Sequence, residues 1–209
     1  METGIIAALI LASVVGLTFI IERGLALRAS RIMPRSVEEA LENCRSPEDL
    51  PMLRRICEEH PSPLSRLLLQ VDKHRHWPRA ENASNLEVTA RHEVAKMERG
   101  LVILEIVVGI APLLGLVGTI YGLITIFGGV AEQGLGESNR LAEGIATALN
   151  STLLGLLTAI PSLSAWSYYN KKVENFAIEM AALCDNFLRR QYHSESTEEL
   201  AEETLRIKN

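Results

Sequence analysis

Thr147, Asn150, Ser151, Thr152, Thr158 and Ser162 all lie within residues 144–170, a stretch without one charged side chain. Thr119 lies in a second such stretch, 106–130. Hydroxyls and a carboxamide do not titrate near neutral pH. They position water, coordinate a cation, or bond from one helix to another. On a helix turning about 100° per residue, with Thr147 at 0°, Ser151 falls at about 40°, Gly155 at about 80°, Thr158 at about 20° and Ser162 at about 60°. Asn150 and Thr152 flank this stripe, while Leu153, Leu156 and Ile160 occupy the remaining face. The earlier stretch repeats the device with Ala111, Gly115, Gly118, Thr119, Gly122 and Gly129. Small residues four apart let helices approach closely, and hydroxyls bond across the contact or back to the i−4 carbonyl.

A packing interface accounts for most of these residues. Two details point past it. Counted from Val130 and Glu143, Thr119 and Thr152 stand roughly 13–17 Å inside the ends of their stretches at 1.5 Å per residue, so at similar depth. Asn150 adds an amide whose burial without partners costs several kcal/mol, about 2–7. A ring of hydroxyls at one depth, drawn from several subunits, lines a hydrated path as readily as it seals an interface. The spacing leaves both readings open.

The elements that must position these groups are membrane helices. Residues 3–21, 106–130 and 144–170 are uncharged, and each run is long enough to cross a hydrocarbon core of roughly 30 Å. The run from Ile106 to Val130 alone holds fourteen Leu, Ile, Val or Phe residues. The opening "METGII" lacks a basic start, and no small-x-small cleavage site follows, so the first run is expected to be an uncleaved anchor. Lys and Arg number fourteen in 22–105 and six after Tyr169, against Arg140 alone in 131–143. By the positive-inside rule the basic segments face the cytoplasm.

The expected fold class is therefore all-α, a polytopic membrane protein with three transmembrane helices, the second and third extending into a helical cytoplasmic region. Its layout is a periplasmic N-terminus at 1–3, helix 1 at 4–21 and a cytoplasmic helical domain at 22–104. Helix 2 follows at 105–130, a periplasmic loop at 131–143, helix 3 at 144–169, and a cytoplasmic helix with an acidic tail at 170–209. Prolines divide the cytoplasmic segment into helices near 36–45, 48–59 and 64–77. "SNLE" at 84–87 fits a capping box that opens a helix running into the second span. Val173, Phe176, Met180, Leu183 and Phe187 form one apolar seam, suited to copies of the chain or to its own helices. From Ser194 the composition is that of a disordered segment.

Cys44, Cys57 and Cys184 are odd in number, lack metal-ligand spacing and are expected to be free thiols. The pair in "HRH", His74 and His76, reads as solvated rather than metal-binding. No phosphate loop, catalytic carboxylate pair or activated nucleophile is present, so an enzyme is excluded, and neither cofactor nor nucleic acid is expected.

"GIAPLLGLVGTIYGLITIF" and "LAEGIATALNSTLLGLLTAIPSLSAWSYYN" resemble the two signature helices of the ExbB/TolQ/MotA proton-channel family. The likeness covers about residues 97–172, and the three-span layout is similar to ExbB and TolQ rather than to four-span MotA. The resemblance implies a pentamer around transmembrane helices of an ExbD, TolR or MotB-type partner, with ion flow driving mechanical work. It implies pore-facing roles for Thr119 and Thr152, and helix bends at Pro112 and Pro161. One departure stands out: where many relatives read "GIAEAL", this chain reads "GIATAL", with Thr147 at the glutamate position. The charge-free runs thus hold no carboxylate, and the titrating group is expected from the partner, as an Asp in its single span.

The expected ion pathway is Thr119, Thr152, Thr147 and Ser151, with Gly115, Gly118, Gly122, Gly155 and Asn150 in helix packing. Glu143 serves either the outer mouth or the helix macrodipole. Glu105 is either a proton exit or a solvated boundary carboxylate. The function expected is the pore-forming subunit of an ion-motive-force-driven motor in a bacterial inner membrane. The competing reading is a non-conducting oligomeric scaffold.

Overall fold

The computed structural model describes the backbone over residues 2–133 and 138–208, and side chains over 4–128 and 142–192. The surroundings of Gly129 and the side chains of Arg140 and the acidic tail lie outside what is described. The chain is helical, with no strand among the described residues: α1 (Glu2–Ala26), α2 (Ala29–Ile32), α3 (Arg35–Asn43), α4 (Leu50–Glu59), α5 (Pro63–Lys73), α6 (Arg79–Glu98), α7 (Leu101–Gln133) and α8 (Ser138–Lys208). A short 3-10 turn, Pro47–Asp49, precedes α4. Among the described residues, three helices are long and apolar enough to cross a membrane: Gly4–Ala26, Leu101–Gly128 and Ala142–Tyr192.

Two compact units divide the chain. The first joins Met1–Leu25 to Arg99–Asn170. Its outward residues are large and apolar: Leu11, Val14 and Leu17 on α1, Leu113, Ile120 and Ile124 on α7, Leu153, Leu157 and Ile160 on α8 are all exposed. In lipid such surface needs no cover, and close packing with polar cross-bonds replaces hydrophobic burial as the force between helices. One such bond ties α1 to α8, where the Tyr169 hydroxyl donates to the Ile20 carbonyl at 2.8 Å. Pro112 and Pro161 both lie inside continuous helix.

The second unit comprises Ala26–Glu98 and Lys171–Asn209. Its helices start where proline and serine dictate. Ser62 caps α5 by accepting from the Ser65 N–H at 3.1 Å, and Pro63 takes the first helical position, where its missing N–H costs nothing. Leu64, Leu67, Leu68 and Val71 recur at helical spacing and are fully buried, each contributing about 1.5–3 kcal/mol. Val173, Phe176, Met180 and Phe187 of α8 are buried in this same unit, so the seam packs on the chain's own helices. Asn82 is completely buried. Its amide donates to the Val71 carbonyl and to the Tyr192 hydroxyl, each at 3.1 Å, and Tyr192 donates onward to the Trp77 carbonyl at 2.7 Å. That chain of bonds fastens α8 to α5 and α6.

Two expectations are corrected. The helix placed at Ser84 opens at Arg79, directly after Pro78, and Ser84 lies in its second turn. Proline's fixed φ starts the helix before any side-chain cap is needed. That helix ends at Glu98, and the turn at Arg99–Gly100 parts it from α7, as glycine's poor helix propensity allows. The acidic tail continues α8 to Lys208 rather than leaving it, because Glu, Leu, Ala and Lys are strong helix formers.

Candidate ion-path site

The described hydroxyls of the 144–170 stretch sort into two kinds. Thr147 donates to the Glu143 carbonyl at 2.9 Å, Thr158 to Leu154 at 3.0 Å, and Ser162 to Thr158 at 2.9 Å. Each is satisfied by its own helix, four residues back, and so needs no partner in lipid. Thr152 differs: its Oγ1 hydrogen-bonds Thr119 Oγ1 on α7 and reaches the Gly115 carbonyl at 3.3 Å. Thr119 Oγ1 in turn lies 3.2 Å from the carbonyls of both Gly115 and Ala148. Two hydroxyls thus share two protons among two carbonyls and each other. Lone pairs remain over, so the cluster is rich in acceptors and poor in donors.

The backbone brings these groups together because α7 and α8 touch through glycine. A Cβ on Gly115 would stand 2.8 Å from the Ser151 carbonyl oxygen and 3.0 Å from Thr152 Cα. One on Gly155 would stand 2.6 Å from the Ala111 carbonyl oxygen. Gly118 packs against the Ser151 side chain, and Gly122 is buried on the same helix. Thr119, Ser151 and Thr152 are half-buried at this contact.

Other residues singled out from the sequence stand apart from it. Thr147, Asn150, Glu105 and Glu143 are exposed. Glu143 is five residues into α8, past the first turn where the macrodipole acts. The acceptor carbonyls of Gly115 and Ala148 escaped sequence reasoning, since a backbone carbonyl carries no residue signature. Elsewhere, His74 packs against Trp77 with ring centroids 4.1 Å apart and planes tilted by 50°, and no metal-binding cluster occurs among the described residues.

Helices of this length and apolarity, joined through a glycine seam with a hydroxyl pair across it, define a multi-pass membrane protein. Residues 59–182 match the MotA/TolQ/ExbB proton channel family. The chain is 36% identical over 165 residues to the ExbB-like biopolymer transport protein 1 of Synechocystis, covering 74% of this chain and 62% of that protein. It is 28% identical over 207 residues to the Tol-Pal system protein TolQ of Pseudomonas aeruginosa, covering 91% and 88%. It is 30% identical over 105 residues to the biopolymer transport protein ExbB of Aquifex aeolicus, covering 50% and 70%. The chain belongs to the MotA/TolQ/ExbB proton channel family, whose ExbB and TolQ members are channel and transducer subunits rather than enzymes.

Proposed function

We propose that the chain is the pore-forming subunit of an ion-motive-force-driven complex of the bacterial inner membrane. It conducts protons or sodium ions together with an ExbD/TolR-type partner and drives work across the cell envelope. Residues 22–104 and 170–209 lie in the cytoplasm in this reading, and 1–3 and 131–143 in the periplasm. The observation that carries it is the Thr119–Thr152 hydroxyl pair, bonded between the uncharged stretches of α7 and α8. A scaffold requires the Gly115–Gly155 contact but has no need of an acceptor-rich cluster beside it.

The spans at 3–21, 106–130 and 144–170 contain no titratable carboxylate, histidine or lysine. A proton relay through a bilayer needs such a group. The partner's transmembrane Asp supplies it, meeting the Thr119/Thr152 clusters of successive copies in a homo-oligomer, which the family implies to be a pentamer. Thr147 and Ser151 extend the polar lining. Pro112 and Pro161 set the helix curvature around it. Each unit charge crossing the membrane releases about 2.3 kcal/mol per 100 mV, sufficient to bias one conformational step.

The test replaces Thr152 with Val, and separately Thr119 with Val, in the assembled complex. Shape is kept and one hydroxyl lost. The remaining threonine still donates to a carbonyl, so stability drops by no more than about 1 kcal/mol. Ion flux and driven work are expected to fall at least tenfold, with the oligomer intact by native mass spectrometry. Flux unchanged in both variants removes the pair from the path. Conductance by this chain alone, equal with and without partner, overturns the partner-supplied carboxylate.

A further inference from the structure

The second unit holds a concave site that ion conduction does not use. A cavity of about 260 Å³ opens among the end of α3, the turn after α5, and α8. Arg45, Arg75 and Arg190 come to its walls from those three elements, and Cys44, Leu50 and Phe187, all buried, make the apolar part of its lining.

The chain carries a formal net charge of −5. Elsewhere in this unit five arginines are paired, Arg54 with Asp72, Arg55 with Glu59, Arg66 with Glu93, Arg91 with Glu87 and Arg189 with Asp185, while Arg28, Arg31, Arg35 and Arg79 stand exposed along other elements and line no shared opening. Among the described residues, Arg45, Arg75 and Arg190 have no carboxylate partner, and no acid lines the cavity. Asp49, four residues from Arg45, spends its Oδ2 on the N–H groups of Arg45 and Ser46 and on the Ser46 hydroxyl, at 3.0–3.1 Å. Three arginines without a carboxylate partner lining one opening repel one another, and an anion relieves that repulsion.

We propose that this cavity binds a small phosphate-bearing molecule, with Arg45, Arg75 and Arg190 on the phosphate and the apolar lining against its organic part. Three forked donors exceed what the two oxygens of one carboxylate accept, whereas a phosphate monoester presents three terminal oxygens. The volume lies below the roughly 300–1,000 Å³ of pockets for drug-sized ligands, so the molecule is small. The phosphate belongs to a soluble monoester or to a lipid headgroup, the recognition being the same.

Calorimetry on the purified full chain in nonionic detergent tests the site, with phenyl phosphate as the soluble probe. Dihexanoyl phosphatidic acid is the lipid probe, and dihexanoyl phosphatidylcholine its control. Phenyl phosphate is expected to bind one per chain, about tenfold tighter than inorganic phosphate because of the apolar lining. Arg75→Gln and Arg190→Gln each weaken it about tenfold, and Arg55→Gln, at an exposed helical pair away from the cavity, leaves it unchanged. Should Arg190→Gln fail to fold, Arg190→Lys keeps the charge without the fork and still weakens binding several-fold. Tighter binding of the phosphatidic acid, with none of the phosphatidylcholine, assigns the phosphate to a lipid. The proposal falls if no phosphate probe binds, if the cavity variants bind as the parent does, or if Arg55→Gln weakens binding equally.

Discussion

Substituting Ala for Gly155 isolates the helix contact on which the hydroxyl pair depends. The added Cβ would meet the Ala111 carbonyl oxygen at 2.6 Å and Gly115 Cα at 3.1 Å, where ordinary contact begins at 3.4 Å. Relief therefore requires α7 and α8 to part by about 0.8 Å, since both opposing atoms are backbone and no rotamer change moves them. Overpacking of this kind costs about 1–3 kcal/mol. Alanine's helix propensity returns about 1 kcal/mol of that. Gly109→Ala makes the same chemical change on α7 at a site with nothing within 4 Å, so it gains the propensity without the clash. The difference between the two variants is then about 1–3 kcal/mol, or roughly 2–12 °C in Tm for a chain of this size. Thermal unfolding of both in the same detergent, followed by circular dichroism, measures it. Separation of the helices also draws Thr152, one turn from Gly155, away from Thr119, so ion-driven work falls in Gly155→Ala and survives in Gly109→Ala. Equal melting temperatures would refute the glycine contact as the element that holds the pair.

Three further outcomes are expected. Glu93 is 3% exposed between Arg66 and Lys96, at 2.5 and 2.8 Å, so Arg66→Ala leaves its buried carboxylate half-compensated and costs about 2–3 kcal/mol by denaturant titration. Burial raises the Glu93 carboxyl, but the bonds from Arg66 and Lys96 outweigh it and hold it below its ordinary 4.5. A lowered folded-state value stabilises above the unfolded pKa and is lost as pH falls through the folded one. The parent's denaturation midpoint should therefore drop more than that of Glu93→Gln between about pH 6 and about pH 3.5, and parallel curves would contradict this. Cys44, Cys57 and Cys184 are all buried, and burial pushes the Cys57 thiol up to about 11. Ellman's reagent near neutral pH should find no reactive thiol in the native chain and three after unfolding, and rapid native labelling would count against the packed second unit.

How far the site was legible in the sequence varies by residue. Thr119 and Thr152 were matched in depth by counting along two uncharged stretches, and they do meet. The small-residue periodicity exposed Gly115 and Gly155 as close-approach positions. Asn150 was read as a packing residue and Thr147 as part of the pathway, and both are exposed on α8 rather than set into its contact with α7. A helical wheel shows which side chains share a face but not which part of that face meets a neighbour. The contact centres near Gly155, Ala148 and Ala159 instead of on the Thr147–Thr158 line, a rotation of about 90° at 100° per residue.

Composition and periodicity by themselves determined three apolar helices, a proline-punctuated helical segment and an apolar seam on the last helix. Those properties are local: charge-free length, fixed φ at proline, and the 3.6-residue repeat. Tertiary structure decided which hydroxyls cross between helices and which turn back to their own i−4 carbonyls. It also decided that the seam is covered by the chain's own helices, and that arginines from positions 45, 75 and 190 share one cavity. These depend on the direction in which each helix presents its surface to another. That direction follows from the closest approach two backbones can make, a property of pairs of segments that neither carries alone.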